Sequence, residues 1–315
     1  MMKSWLNRDV ISILDFEKEE LESLFSLTDK IIQRNMNIEK SLEGKIIATA
    51  FFEPSTRTRL SFETAAHKLG ASVITLEPSI SSLEKGESIA DTMKMLDSYA
   101  DLIVMRSPLE GVAKLAAEIC EHPIINGGDG TQHHPTQTMI DIYTIKKLKG
   151  RIDGLSIGIL GDLRYGRAAT SFMYGIGIFG IKEMWLIAPK ELMPRDDVLL
   201  NLEKFDIKLH YVENINEIIS DLDVLYVTRI QKERFPDPAE YERVKGSYQI
   251  DLQLLKKAKE NLIIMHPLPR VYEITYEIDK TQYAAYFKQA SFGVPLRMAL
   301  LMLIFGAEKD VWRKK

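Results

Sequence analysis

Short apolar runs separated by stretches of helical spacing constrain this chain more than any other feature. The runs fall near 45–52, 71–76, 101–105, 123–126, 155–161, 183–188, 207–212, 223–228 and 262–265. Helical patterns fill most intervals, as over Glu87–Tyr99, Glu110–Ile119 and Pro135–Leu148, and an amphipathic helix around Phe16–Ile32 precedes them all. Strands alternating with helices pair in parallel and are covered on both faces. A chain of 315 residues has room for two such domains. The polar, glycine-bearing segment 146–154 reads as the junction. The expected class is therefore α/β, two doubly wound parallel-sheet domains with helices on both faces, over 1–149 and 150–290. The last helix, Ser291–Ala307 in the tail 291–315, is strongly apolar and should pack back onto the first domain.

Composition narrows the function. A net charge of −4 argues against a nucleic-acid partner, so any cationic site must be local. One cysteine, Cys120, excludes an internal disulfide and a cysteine-rich zinc site, and its apolar helical neighbours suggest a buried, inert thiol. The N-terminus lacks a secretory apolar segment, and the longest apolar stretch, Met298–Phe305, is too short to span a bilayer. A cytoplasmic protein with no membrane partner is expected.

Phe51–Glu63, FFEPSTRTRLSFE, is the richest chemical signal. An apolar strand ends, turns at Glu53-Pro54 and opens a helix with Ser55 at or near the N-cap. Hydroxyls of Ser55, Thr56 and Thr58 and the guanidinium groups of Arg57 and Arg59 converge on one helix N-terminus. Free N–H groups there suit an anion, and phosphate is the natural guest. The alternative is a capped helix with two solvated arginines, but cations at that end oppose the helix dipole.

Other strand-end segments carry polar groups where open α/β sheets bind ligands. Arg106-Ser-Pro108 follows the run 101–105, and His134-Pro-Thr-Gln137 follows 124–126. Arg164 and Arg167 lie in Gly161–Arg167, and Arg229 in Thr228–Arg234; paired arginines could grip a dicarboxylate, though each alone reads equally as solvated. Asp129, His133 and His134 hint at a metal, but no third spaced ligand appears, and a neutral imidazole donor is more economical. Ser81–Gly86 reads as a flexible loop whose Lys85 could reach over an anion. Gly175–Gly180 matches G-x-G-x-x-G, but it ends a helix instead of following the strand 155–161, so helix termination and close packing explain it better than a dinucleotide.

Together FFEPSTRTRLSFE (51–63), SSLEKGES (81–88), GDGTQHHPTQ (128–137), GDLRYGR (161–167), TRIQKER (228–234) and HPLPR (266–270) closely resemble the catalytic chains of the aspartate carbamoyltransferase family, nearly end to end. Ornithine carbamoyltransferases share the STRTR and HPTQ elements. They characteristically carry an Asp…SMG motif and a cysteine in HCLPR, where this chain has TRIQKER and Pro267.

The resemblance implies transfer of the carbamoyl group from carbamoyl phosphate to L-aspartate, toward pyrimidines, with no cofactor and no metal. It implies a carbamoyl-phosphate-binding domain over 1–149 and an aspartate-binding domain over 150–290, joined by interdomain helices. Ser55, Thr56, Arg57 and Thr58 would hold the phosphate, and Arg106 would bridge phosphate and carbonyl oxygen. Thr58, Arg106 and His134 would polarise the carbonyl; Gln137 and the backbone carbonyls of Pro267 and Leu268 would accept from the carbamoyl amide. Arg167, Arg229 and Gln231, with Lys85, would bind aspartate. Ser81 and Lys85 resemble loop residues supplied by a neighbouring subunit, implying a homotrimer, with or without regulatory chains. Glu53 is a candidate partner of Arg167 or Arg234 on closure.

The chain departs from the family pattern at Ser107, Ala168, Tyr272 and Phe292, without losing a proposed catalytic group. The rival readings are an ornithine or other amino-acid carbamoyltransferase and, remotely, a nucleotide-binding oxidoreductase.

Overall fold

The computed structural model describes residues 3–33, 38–235 and 237–308. They divide into two units, Met1–Met139 with Phe292–Lys315, and Ile140–Ser291. The first unit holds strands β1 (Ile46–Phe51), β2 (Ser72–Leu76), β3 (Leu102–Ser107) and β4 (Ile124–Asp129). Helices α1 (Lys18–Ile32), α2 (Thr56–Lys68), α3 (Ile89–Asp97) and α4 (Val112–Ile119) accompany them, and α5 (Pro135–Lys149) begins here. The second unit holds β5 (Ile157–Leu160), β6 (Glu183–Ile187), β7 (Lys208–Val212), β8 (Val224–Val227) and β9 (Ile263–Met265). Its helices are α6 (Arg167–Ile178), α7 (Asp196–Leu202), α8 (Pro238–Val244), α9 (Leu252–Leu255) and α10 (Tyr286–Ser291).

Both sheets are wholly parallel, in the orders β2-β1-β3-β4 and β7-β6-β5-β8-β9. The inner strands, buried on both faces, read as near-continuous apolar runs, which is why they stood out in the sequence, whereas the edge strands β2 and β7 are partly exposed. In the first sheet the chain passes from β1 to β2 on one side and returns to β3 on the other, so the topological switch lies between β1 and β3. In the second it lies between β5 and β8. Ligands bind outside the carboxyl ends of strands at such points.

The last helix, α11 (Gly293–Ile304), returns to the first unit and packs on α1 and α2. Residues 309–315 of the tail lie outside the described residues.

Four expectations are corrected. Arg106 belongs to β3, with Phe51 as its register partner on β1, because the strand continues past the apolar run. β4 likewise continues through two glycines to Asp129, all of it buried. Cys120 is only half-buried at the end of α4. The helical stretch Tyr286–Ile304 is, at 19 residues, long and apolar enough to cross a membrane, with 67% of its most apolar window buried inside the protein. The sequence reading undercounted it because Lys288 and Arg297 interrupt the apolar run; Arg297 is itself buried, with Nη1 donating to Ser61 Oγ at 2.5 Å.

Candidate active site

Ser55 occupies the N-cap of α2 in extended conformation (φ −156°), yet its hydroxyl makes no capping hydrogen bond. The first turn of α2 therefore presents N–H groups that its own cap does not satisfy. Thr56 and Arg57 are exposed there, and Thr58 is buried, its Oγ1 3.5 Å from Nε2 of His134. His134 precedes Pro135, the first residue of α5, and proline suits that position because its missing N–H would have had no helical partner. Gln137 is half-buried at the start of the same helix.

Arg106 completes this group from the end of β3. Its Nε donates to Glu53 Oε1 at 2.8 Å and its Nη1 to the carbonyl of Gly127 at 3.4 Å. Glu53 thus has an ion-pair partner inside its own unit, one the sequence reading did not name. The carboxylate of Asp129 is committed to shape: Oδ1 accepts from Asn126 Nδ2 at 2.8 Å and Oδ2 from the Gly111 N–H at 3.0 Å. Among the described residues no group of three or more His, Cys, Asp or Glu could hold a metal ion.

Ser81–Gly86 is a short 3-10 turn more than a loose loop. Ser81 Oγ accepts from the Leu83 N–H at 3.3 Å and donates to the Pro78 carbonyl at 2.9 Å, and Gly86 ends the turn at φ +93°. Lys85 is exposed on it.

In the second unit the cations gather at the β5–β8 switch. Arg167 opens α6 and is 5% exposed; Arg229 and Gln231 follow β8 and are half-buried. The strand ends are bolted together there. Thr228 N–H donates to the Leu160 carbonyl at 2.9 Å, and Tyr248 Oη donates to the Thr228 carbonyl at 2.5 Å. Gly161, at φ +129°, has no room for a β-carbon, which would collide with Thr228 O and Tyr248 Oη. The next residue, Asp162, is fully buried, and its Oδ1 accepts from the N–H groups of Tyr165 at 2.8 Å and Arg164 at 3.2 Å. Burial pushes its carboxyl up to about 6, against the opposing pull of the Tyr165, Arg164 and Gln231 N–H groups and the Arg229 charge. Asp162 thereby holds the turn that leads to Arg167, with its carboxylate feeling the charge of Arg229. The sequence signal was a lone aspartate after a strand-end glycine, too common to single out.

Pro267 and Leu268 follow β9 and are half-buried, Leu268 with φ +58°. The G-x-G-x-x-G run lies in α6 and the turn that ends it. A β-carbon on Gly177 would come within 2.7 Å of the Phe205 ring, so close helix packing accounts for that glycine.

Residues 8–147 match the family model of the aspartate/ornithine carbamoyltransferase carbamoyl-P binding domain, and residues 153–304 that of the Asp/Orn binding domain. The chain is 57% identical over 309 residues to the aspartate carbamoyltransferase catalytic subunit of Hyperthermus butylicus, covering 96% of this chain and 98% of that one. It is similar in structure to the aspartate transcarbamoylase of Trypanosoma cruzi in complex with carbamoyl phosphate and aspartate, with a TM-score of 0.91, 36% identity and coverage of 95% and 97%. The catalytic subunit of M. jannaschii aspartate transcarbamoylase gives a TM-score of 0.84 at 48% identity, covering 96% of this chain and 98% of that one.

Proposed function

This chain belongs to the aspartate/ornithine carbamoyltransferase family, and we propose on that basis that it transfers the carbamoyl group of carbamoyl phosphate to the α-amino group of L-aspartate. The products are N-carbamoyl-L-aspartate and phosphate, a step of pyrimidine biosynthesis. The observation that carries the reading is the uncapped N-terminus of α2, with Thr58 facing His134 and Arg106 beside it.

Ser55, Thr56, Arg57 and Thr58 hold the phosphate of carbamoyl phosphate through hydroxyls, a guanidinium and the N–H groups of the first turn of α2. Thr58, Arg106 and His134 donate to the carbonyl oxygen. The deprotonated amine attacks the carbonyl carbon, and negative charge moves to that oxygen. Collapse of the tetrahedral intermediate breaks the C–O bond to phosphate, and the departing phosphate takes the amine's proton. No side-chain nucleophile is needed. Orientation of the two reactants can supply roughly 7–11 kcal/mol, and each oxyanion donor about 3–4 kcal/mol.

Gln137 and the carbonyls of Pro267 and Leu268 accept from the carbamoyl amide. Arg167, Arg229, Gln231 and Lys85 bind the carboxylates of aspartate, where planar guanidinium forks match two carboxylates. The domains correspond to residues 1–149 with the tail 291–315, and 150–290. The working enzyme is a cytoplasmic homotrimer in which Ser81 and Lys85 serve a neighbour's site. The exposure of Ile80 (83%) and Leu60 (48%) supports a partner surface on the first unit. The bisubstrate compound N-(phosphonacetyl)-L-aspartate, bound by the T. cruzi enzyme, tests the residue assignments. It should inhibit competitively with carbamoyl phosphate, and Arg57→Lys and Arg167→Lys should each weaken that inhibition. Undiminished inhibition in both variants removes these residues from the site.

A further inference from the structure

We propose that His266 and Glu273 are positioning residues which fix the turn at Pro267 and Leu268 so that its backbone carbonyls can accept from the carbamoyl amide. The role rests on the carbamoyl-transfer reading above.

The geometry assigns a direction to the hydrogen bonds that His266 and Glu273 make in the turn. Leu268 N–H donates to His266 Nδ1 at 2.7 Å, so Nδ1 carries the lone pair. The proton then sits on Nε2, which donates to Glu273 Oε1 at 2.8 Å. The second oxygen of Glu273 accepts from the N–H groups of Tyr272 at 3.0 Å and Val271 at 3.1 Å. Burial pushes the Glu273 carboxyl up, but the contact with His266 and the N–H groups of Glu273 and Val271 outweigh it and hold the group below its ordinary range. A neutral imidazole in a fixed tautomer follows.

The turn is also tied from behind. His266 N–H donates to Gln289 Oε1 at 2.9 Å, Gln289 Nε2 to Asp141 Oδ1 at 2.6 Å, and Tyr226 Oη to Asp141 Oδ2 at 2.8 Å. His266 is 2% exposed and Glu273, Asp141 and Tyr226 are fully buried, whereas Pro267 and Leu268 above them are only half-buried. A sealed polar network thus supports a segment whose backbone reaches the surface. Leu268 stands at φ +58°, a left-handed conformation that a leucine keeps only when its surroundings impose it. The bond from its N–H to Nδ1 is the local restraint.

Two isosteric substitutions separate positioning from mere filling. Asparagine places an amide oxygen near Nδ1 and can still accept from the residue two positions on. Glutamine places its amide near Nε2, keeping the Glu273 contact and abandoning Leu268. His266→Asn should retain activity within about tenfold of the parent. His266→Gln should lose about a hundredfold in kcat, with the inhibition constant of inorganic phosphate unchanged in both. Any other order of the two kcat values overturns the role. Should neither variant fold, Glu273→Gln supplies the test, since its amide N–H would face the N–H groups of Val271 and Tyr272. A fall in kcat with unchanged phosphate inhibition supports the role, and an unchanged kcat refutes it. Absence of carbamoyl-aspartate from the parent enzyme would refute the carbamoyl-transfer reading itself, a separate outcome.

Discussion

The two units carry their proposed anion-binding groups at a sheet's switch point by different means. The first uses the ends of secondary structure. It offers a helix start without a side-chain cap, a strand-end arginine and a histidine at the next helix start, with Glu53 paired to a half-buried Arg106. The second uses cations on segments that need support from below, with buried Asp162 under Arg229 and Gln231 and the His266–Glu273 pair under the turn after β9. Backbone donors come pre-organised by the helix itself. Loop-borne groups must be fixed by buried partners, whose desolvation is costly: it is what pushes the Asp162 carboxyl up.

The largest effect should come from the first unit. Arg106→Ala removes the proposed oxyanion donor and its ion pair with Glu53, so kcat should fall about 10²–10³-fold in steady-state assays. A change under tenfold would move Arg106 out of the reacting group. In the second unit Asp162→Ala strips the acceptor from two part-buried N–H groups, those of Arg164 and Tyr165, each costing about 1 kcal/mol. Aspartate kcat/KM should drop while inorganic phosphate inhibits as before; an equal loss of phosphate affinity would erase the contrast between the units.

Acid should sharpen the same contrast. The native Asp162 carboxyl sits at about 6 against an ordinary 3.8, so the native state binds this proton more readily than the unfolded chain does. Its contribution to stability is therefore full below pH 3.8 and is lost as pH rises through 6. Activity runs the other way, because only the carboxylate carries the charge that faces Arg229 and accepts strongly from the Tyr165 and Arg164 N–H groups. Aspartate kcat/KM should fall as pH drops through about 6, and Asp162→Asn should flatten that limb. A parent profile without it contradicts the supporting role.

Smaller effects should fall on stability alone. Gly177→Leu drives a side chain into the Phe205 ring and should cost about 1–3 kcal/mol in denaturant unfolding. Recovered folded enzyme should keep its kcat. Cys120→Ala should change neither activity nor stability beyond about 0.5 kcal/mol. Its thiol, pushed up to about 11 by burial and then by nearby carboxylates, should react slowly with iodoacetamide at neutral pH.

The first unit was legible because the helix-end part of its site is contiguous. FFEPSTRTR writes strand end, turn, N-cap and cations in consecutive residues, and all nine strands announced themselves by apolar runs. The second unit's arginines could be named, but not what holds them. Asp162, His266 and Glu273 look like ordinary loop polar residues until burial and bond direction are known. Arg106 was placed beyond its strand because polarity was taken for the strand's end. The Glu53 partner escaped because an ion pair between residues 53 apart leaves no local pattern.

The most direct test of the account offers the purified chain carbamoyl phosphate with L-aspartate or L-ornithine and follows products by mass spectrometry. The account predicts N-carbamoyl-L-aspartate with one phosphate released per product, and no carbamoylated ornithine. Carbamoylated ornithine without carbamoyl-aspartate would contradict it.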